Sequence, residues 1–273
     1  MTIPFSPSDG GSRAALQSTV SPHALLVGAD KGGVGKTTLA EIISIVLEDM
    51  GVEHSVAEVE ADERLGRRLG DRVQHHRLHG ADAKALARDP DALNVFWDSV
   101  YGQVMESTTL GDFGANALAL FLRWASSRSV RAALADGSGL HFALVATSDS
   151  DSLTGTLASA RAIAANLPKA QTWLIFNEVA GGINLQHPGI AQLIREARCQ
   201  QALVLPSCRA PDFGILKNLG RLDRVALISE ADLGAHGIPR LRAGRALEGL
   251  QDWLLEVTEV LRPMVEAFIA RRG

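Results

Sequence analysis

The sequence has few cysteines, few aromatic residues and no long apolar runs. Two of its 273 residues are cysteines and 5% are aromatic. Cys199 and Cys208 build no disulfide framework and suit a reducing compartment, so we expect a cytoplasmic protein. No apolar run approaches the ~20 residues that span a bilayer, which excludes an integral membrane protein with helical spans.

A large excess of charge of one sign is also absent. The formal net charge is -4, with 21% charged and 46% hydrophobic residues. This balance is typical of an ordinary soluble globule of one large or two small domains. It neither predicts nor excludes nucleic-acid binding, because a local basic face can coexist with a slightly acidic whole.

Residues 1–22 have neither the basic start nor the apolar stretch of a secretory signal. Their Pro, Ser and Gly content predicts a flexible leader. Residues 23–273 contain no repeat and no strong linker, so we predict one domain there.

Short apolar runs alternate with amphipathic segments along the rest of the chain. Strands are predicted at His23–Gly28, His54–Val59, His141–Thr147, Thr172–Phe176 and Ala202–Leu205. Helices are predicted at Thr37–Met50, Ala92–Met105, Leu153–Leu167 and Pro188–Arg198. This alternation indicates βαβ units with right-handed crossovers, hence a doubly wound α/β domain with a mostly parallel sheet flanked by helices. The polar segment Glu60–Pro90 shows little core-forming pattern.

The tail from Ala243 onward predicts a long helix interrupted by Pro263. Its apolar stripe consists of Leu247, Leu250, Leu254, Val257 and Leu261. The acidic residues on its polar side would be repelled by an anionic membrane, so packing against the sheet or a partner helix is favoured.

A glycine-rich loop lies between the first strand and the first helix. Its residues are Lys31, Gly32, Gly33, Val34, Gly35, Lys36, Thr37 and Thr38. The glycines let successive amides point at phosphate oxygens, Lys36 supplies charge for the β- and γ-phosphates, and Thr37 offers a hydroxyl to Mg²⁺. The following helix adds the positive end of its dipole. The loop therefore predicts binding of ATP with Mg²⁺.

Lys31, directly before the paired glycines, distinguishes this loop from the general pattern. Residues 31–37 match Lys-Gly-Gly-x-Gly-Lys-Ser/Thr at every fixed position and so resemble the deviant Walker A ATPases, the P-loop family of ParA, MinD and the nitrogenase iron protein. The resemblance extends from His23 to about Ile228. It implies an ATP-dependent homodimer in which Lys31 reaches the partner's phosphates, much as an arginine finger does. A solvated loop charge is the alternative for Lys31.

The resemblance also suggests two acidic residues. Asp112, after a weak strand at Ser107–Leu110, resembles the strand-end aspartate that orients Mg²⁺ before the second switch; an ordinary Asp-Gly turn is the alternative. Where the family has Asp-x-Asp-Pro-Gln, this chain has Glu58-Val59-Glu60-Ala61-Asp62. We assign the positioning of the attacking water to Glu60. The departure affects the expected hydrolysis rate more than binding.

Two further positions are suggested by the same resemblance. Asn177, at the end of a strand, is a candidate for contacting the adenine edge, and Pro206 for packing near the base. A structural turn is an open alternative at each position.

Two weaker groupings have mainly structural interpretations. His75 and His79 would lie one helical turn apart and could form a metal pair, but a solvated basic surface is favoured. The C-terminal third is locally basic. Nonspecific DNA binding through phosphate neutralisation and an ordinary solvated face are equally open for its residues, which are Arg209, Lys217, Arg221, Arg224, Arg240, Arg242 and Arg245.

The resemblance implies a slow, partner-stimulated ATPase that acts as a dimerising switch in plasmid or DNA partition, positioning, conjugation or maintenance, with an unidentified cargo or activating protein. One alternative is a metabolic ATP-dependent enzyme on the same fold, similar to dethiobiotin synthetase. Lys31 counts against it, since a lysine that crosses a dimer serves a switch. Another alternative is a membrane-cycling relative of MinD.

Overall fold

The computed structural model describes residues 23–104, 107–199 and 201–270. The predicted leader, Met105 at the end of a predicted helix, and residues 271–273 lie outside these ranges. The strands are β1 Ala24–Gly28, β2 Ser55–Glu60, β3 Val73–Arg77, β4 Thr109–Phe113, β5 Leu140–Ala146, β6 Gln171–Asn177 and β7 Ala202–Leu205. The predicted strands that correspond to β1, β2, β5, β6 and β7 agree with these bounds to within one residue at each end.

Helices connect the strands and flank the sheet. They are α1 Lys36–Asp49, α2 Gly66–Leu69, α3 Gly80–Leu86, α4 Pro90–Val104, α5 Ala117–Trp124, α6 Arg128–Ala133, α7 Ser150–Asn166, α8 Pro188–Glu196, α9 Phe213–Leu219, α10 Leu222–Val225, α11 Glu230–Ala235 and α12 Arg240–Ile269. In the described residues the strands form one seven-stranded sheet of order β3-β2-β4-β1-β5-β6-β7, and every strand pair is parallel. The predicted doubly wound α/β fold is confirmed.

The sheet is covered on both faces, as a parallel sheet requires. Alternate residues of β1 show this division, because Leu25 and Val27 belong to one core cluster while Ala24 and Leu26 belong to the other. The first cluster is formed largely with α1 and α12, and the second with α4, α5, α7 and α8. The apolar run of β1 is therefore continuous because both of its faces are buried.

Parallel pairing places the carboxyl ends of all strands at one edge of the sheet. In the register, Gly28 of β1 and Val59 of β2 both lie opposite Phe113 of β4. The loops that follow these three strands therefore start side by side, and ligands of open parallel sheets bind at this edge.

Strand β4 is central, although its sequence signal is weak. It runs from Thr109 to Phe113, two residues later than the predicted start, and it is fully buried between β2 and β1. A Cβ at Gly111 would lie 2.7 Å from Leu26 Cδ2, so close packing requires glycine in the middle of the strand. Gly111 and Asp112 interrupt the apolar run of this strand, so its sequence pattern is weak.

Strand β3 lies in the polar segment Glu60–Pro90, whose sequence shows little core-forming pattern. It is the edge strand beside β2, and its polar sequence is typical of an edge. The predicted helical spacing of His75 and His79 is wrong, because His75 is in this strand and His79 precedes α3. No group of three or more His, Cys, Asp or Glu side chains within the described ranges is placed to hold a metal ion.

The long C-terminal helix α12 continues through Pro263, so the predicted interruption is wrong. Proline removes one helical hydrogen bond, but Leu261, Met264 and Val265 around it are fully buried and hold the segment in place. The predicted apolar stripe is buried, and α12 packs on α1 and β7. Over the part of the chain that the structure covers, no helix combines the length and apolar character needed to cross a membrane.

An aromatic cluster centred on Trp97 of α4 offers a test of the second core. Trp97 is completely buried and contacts Phe113, Phe121 and Trp124. Trp97→Ala should lower the free energy of unfolding by about 3–5 kcal/mol, because it leaves a cavity. Val95→Ala on the same helix, where Val95 is 72% exposed, should change it by no more than about 0.5 kcal/mol. Urea unfolding measures both, and equal losses would contradict this packing.

Candidate functional site

The glycine-rich loop leaves the end of β1 and becomes helix α1. Gly33 and Gly35 have φ values of 77° and 95°, in the left-handed region that favours glycine. Gly35 is the N-cap of α1, so the loop's amides and the helix N-terminus share one site. This backbone suits an anion.

Asn177, at the end of β6, contacts the loop. Its Nδ2 donates a 2.9 Å hydrogen bond to the carbonyl of Val34, while its Oδ1 accepts from the backbone N–H of Val179. A Cβ on Gly35 would lie 2.4 Å from the same Nδ2. In this structure both ends of the amide bind protein atoms and hold the loop in place, which is a role that the sequence did not indicate. Contact of Asn177 with an adenine edge stays a prediction.

The two lysines of the loop have different partners. Lys36 is 6% exposed, and its Nζ donates to the carbonyl of Lys31 at 2.9 Å. The ammonium of Lys31 lies 2.6 Å from Asp149 Oδ1, outside the turn of the loop. Asp149 also caps α7 by accepting from the N–H groups of Asp151 and Ser152. The Lys31 ammonium, assisted by those N–H groups, holds the pKa of Asp149 below its usual value.

Asp112 lies at the base of the loop. It is 1% exposed, and its carboxyl is hydrogen-bonded to the hydroxyl of Thr37. Burial raises its pKa from an ordinary 3.8 to about 7, against the opposing effects of Thr37 and Lys36. Burial also lowers the pKa of Lys36, while the charge of Asp112 acts in the opposite direction. These groups share a site from which water is largely excluded.

The donor set fits Mg²⁺. Among the described residues, Asp112 Oδ1 is buried and has no hydrogen-bond partner, and the Thr37 hydroxyl lies beside the same carboxyl. A hard cation with oxygen ligands would satisfy this oxygen. When bound with a nucleotide, Mg²⁺ would neutralise phosphate charge at this position.

Glu60 is close to the same groups from the end of β2. Its carboxylate opposes the lowering of the Lys36 pKa and contributes to the raised pKa of Asp112. A Cβ on Gly114 would lie 2.4 Å from Glu60 Oε2, so glycine at this position makes room for the carboxylate. The structure thus brings Lys36, Glu60 and Asp112 together.

Glu58 has a role that the sequence did not reveal. Its side chain is completely buried, and its Oε1 accepts from the backbone N–H groups of Arg64 and Leu65 at 2.7 and 2.8 Å. Its Oε2 accepts from Gly66 N at 3.3 Å. Glu58 therefore fixes the start of α2 beside the phosphate loop.

A cavity of about 810 Å³ opens next to the loop. The loop and the start of α1 line it together with Glu60 and Ala115. Residues of the α2 region and of the end of α9 also line it, and these are Arg64, Arg67, Arg68, Lys217, Asn218, Leu219 and Gly220. The volume suits a nucleotide-sized ligand.

Pro206 and several basic residues of the C-terminal third make contacts within the protein. The carbonyl of Pro206 accepts a 2.8 Å hydrogen bond from Trp253 of α12. Arg221 is buried in ion pairs with Glu48 and Asp223. Arg240 pairs with Glu230 and Arg242 with Asp212. The seven basic residues thus do not form one unpaired surface, although Arg209, Arg224 and Arg245 are exposed.

Comparisons with known proteins find likeness only among solved structures. No protein-family model matches the chain, and no curated protein does. The chain is similar to the MinD cell division protein of Aquifex aeolicus at 14% identity over 84% of this chain and 95% of that chain, with a TM-score of 0.43. It is similar to a plasmid partition protein from Borrelia burgdorferi at 10% identity over 72% and 95%, with a TM-score of 0.44.

A third similar structure is an ATP complex of a McdA variant from Cyanothece, at 14% identity over 85% of this chain and 96% of that chain, with a TM-score of 0.45. The likeness is distant, and it assigns no activity to this chain.

The raised pKa of Asp112 makes the stability of the nucleotide-free protein depend on pH. Ionising the Asp112 carboxyl costs more free energy in the folded state than in the unfolded state. This destabilisation of the folded state is absent below about pH 4, grows as the pH rises, and levels off above the folded pKa of about 7. Asp112→Asn removes this cost. The advantage of the variant in unfolding free energy should be greater at pH 8 than at pH 5, by roughly 2 kcal/mol.

Urea unfolding in EDTA at both pH values measures this difference. Asp252→Asn, an exposed site on α12, is the control and should change stability by no more than about 0.5 kcal/mol at either pH. An advantage of Asp112→Asn that is independent of pH would contradict the buried, easily protonated carboxyl.

Proposed function

We propose that this chain is an ATP-dependent dimerising switch ATPase of the ParA/MinD type, which hydrolyses ATP to ADP and phosphate. The observation that carries the proposal is the convergence of Lys36, Thr37, Glu60 and Asp112 around the glycine loop at the carboxyl edge of β1, β2 and β4. Backbone amides and Lys36 would bind the phosphates, Thr37 and Asp112 would hold Mg²⁺, and Glu60 would position water.

The position of Lys31 favours a switch over a metabolic enzyme. Its ammonium contacts Asp149 outside the turn of the loop, and its side chain is 40% exposed. A half-exposed lysine at this edge can contact the nucleotide of a second copy. It would contribute little to a substrate pocket within one subunit. In the proposed dimer Lys31 would leave Asp149 and contact the partner's nucleotide.

Gel filtration with and without Mg·ATP tests the switch. The wild type should run as a monomer without nucleotide and as a dimer with it. Lys31→Ala should still bind ATP but stay monomeric, because it removes the charge offered to the partner. Lys84→Ala, which removes an exposed lysine of α3, is the matched control and should dimerise normally. Lys36→Ala should lose nucleotide binding itself.

Two results would contradict the switch. An oligomeric state that is the same with and without ATP would favour the metabolic alternative. Normal dimerisation of Lys31→Ala would remove the proposed role of this lysine. The McdA variant is described as an ATP complex, which makes ATP the nucleotide to test first.

We further propose that the ATP-bound dimer binds DNA without sequence preference, in partition or positioning of a cargo. The exposed members of the basic set, such as Arg209 and Arg224, are the candidates for phosphate contacts. Arg221 is an unsuitable candidate because it is buried between carboxylates. An activating or cargo protein would trigger hydrolysis and release.

A mobility shift of arbitrary duplex DNA tests this proposal. Binding should require ATP and weaken steeply with salt, with a slope in log K of about 0.9 for each neutralised phosphate. The double substitution Arg209→Ala and Arg224→Ala should reduce this slope by about two for each subunit of the dimer. Arg128→Ala, at an exposed site on α6, should leave it unchanged. Binding that is equal with and without nucleotide would contradict the proposal.

A further inference from the structure

Four basic side chains outside the loop line the same cavity, and the loop motif does not explain them; we call them the cationic wall. Arg64, Arg67, Arg68 and Lys217 all line the cavity that the loop and Lys36 face. Like charges gathered around one cavity repel each other, so the arrangement favours an anionic ligand that lies between them.

The backbone that carries Arg64 is fixed. Glu58, fully buried, accepts the N–H groups of Arg64, Leu65 and Gly66. Leu65 is completely buried and anchors the same turn. Hydrogen bonds from amides to a carboxylate are about twice as strong as neutral ones, so Arg64 starts from a rigid base and its guanidinium alone is free to move.

Arg68 is already committed to a protein carboxylate. Its Nη1 lies 2.6 Å from Oε2 of Glu41, which is completely buried in α1. The other oxygen of Glu41 accepts from the backbone N–H of Leu222 at 2.7 Å. Arg68 is therefore paired with a carboxylate that also binds the start of α10, and it is not the ligand group that we assign.

Arg64 has a much weaker carboxylate contact. Its guanidinium is 3.8 Å from Asp62, and both side chains are more than half exposed, at 57% and 69%. Such exposed pairs contribute little. The guanidinium of Arg64 and the ammonium of Lys36 line the same cavity, so one anion held there can contact both.

We propose that Arg64 is a further substrate-contacting residue of this site and binds the terminal phosphate of the triphosphate held by the loop of its own subunit. This assignment rests on the proposed function. A guanidinium presents paired N–H donors that match phosphate oxygens. The triphosphate would lie between Lys36 and Arg64 and turn their repulsion into attraction to a shared anion. A diphosphate would leave Arg64 without this contact.

Affinities for ATP and ADP, measured by calorimetry with Mg²⁺, separate the terminal phosphate from the rest. Arg64→Ala should weaken ATP binding about tenfold or more and change ADP binding by less than about twofold. Arg64→Lys should recover part of the ATP affinity. Arg67→Ala removes the same charge from the same wall, and should lower both affinities alike by no more than about twofold.

Each outcome of these measurements supports or overturns the assignment of Arg64. Equal losses for ATP and ADP in Arg64→Ala, with an unchanged thermal midpoint, would overturn the assignment, and so would no loss at all. Wild-type protein that binds neither nucleotide, or Lys36→Ala that binds both normally, would overturn the proposed function and this assignment with it. Selective loss of ATP affinity in Arg64→Ala alone supports it.

Discussion

The site depends on one constraint, the burial of the Asp112 carboxyl beneath the phosphate loop. A carboxylate that is 1% exposed is costly to ionise, as its pKa of about 7 reflects. Lys36 and Thr37 reduce this cost only in part, and Oδ1 has no hydrogen-bond partner in the described residues. A cation bound to this oxygen would offset the cost of ionising the carboxyl. A metal that binds together with a polyphosphate would therefore stabilise the site.

The sequence predicts the fold and the phosphate loop well because both are local patterns. The five predicted strands that read as apolar runs are correct to within one residue, and the loop lies between the expected strand and helix. Among the strands, β3 was missed because its edge position tolerates polar residues, and the start of β4 was predicted two residues early, in a strand where Gly111 packs against Leu26. Contacts between residues far apart in the chain were not predictable, such as Asn177 with Val34 or Asp149 with Lys31.

The Lys31–Asp149 pair gives the proposed switch a resting position at little cost. The two side chains are 40% and 41% exposed, and exposed pairs contribute about 0–1 kcal/mol. A triphosphate with more than one negative charge, in a site closed by a second subunit, can compete for Lys31 on these terms. The pair therefore gives Lys31 a preferred position in the monomer, but it is weak enough for the lysine to leave. Because Asp149 also caps α7, release of Lys31 leaves its carboxylate with two backbone donors.

The two glutamates at the end of β2, Glu58 and Glu60, have different roles in the structure. Glu58 points into the core and reaches the amides of residues 64–66, six to eight positions along the chain. The side chain of Glu58 thereby holds the backbone that carries Arg64. Glu60 faces the cavity, where Gly114 makes room for its carboxylate. One glutamate thus holds backbone beside the cavity, while the other presents its carboxylate to the cavity, where the proposed function would use it.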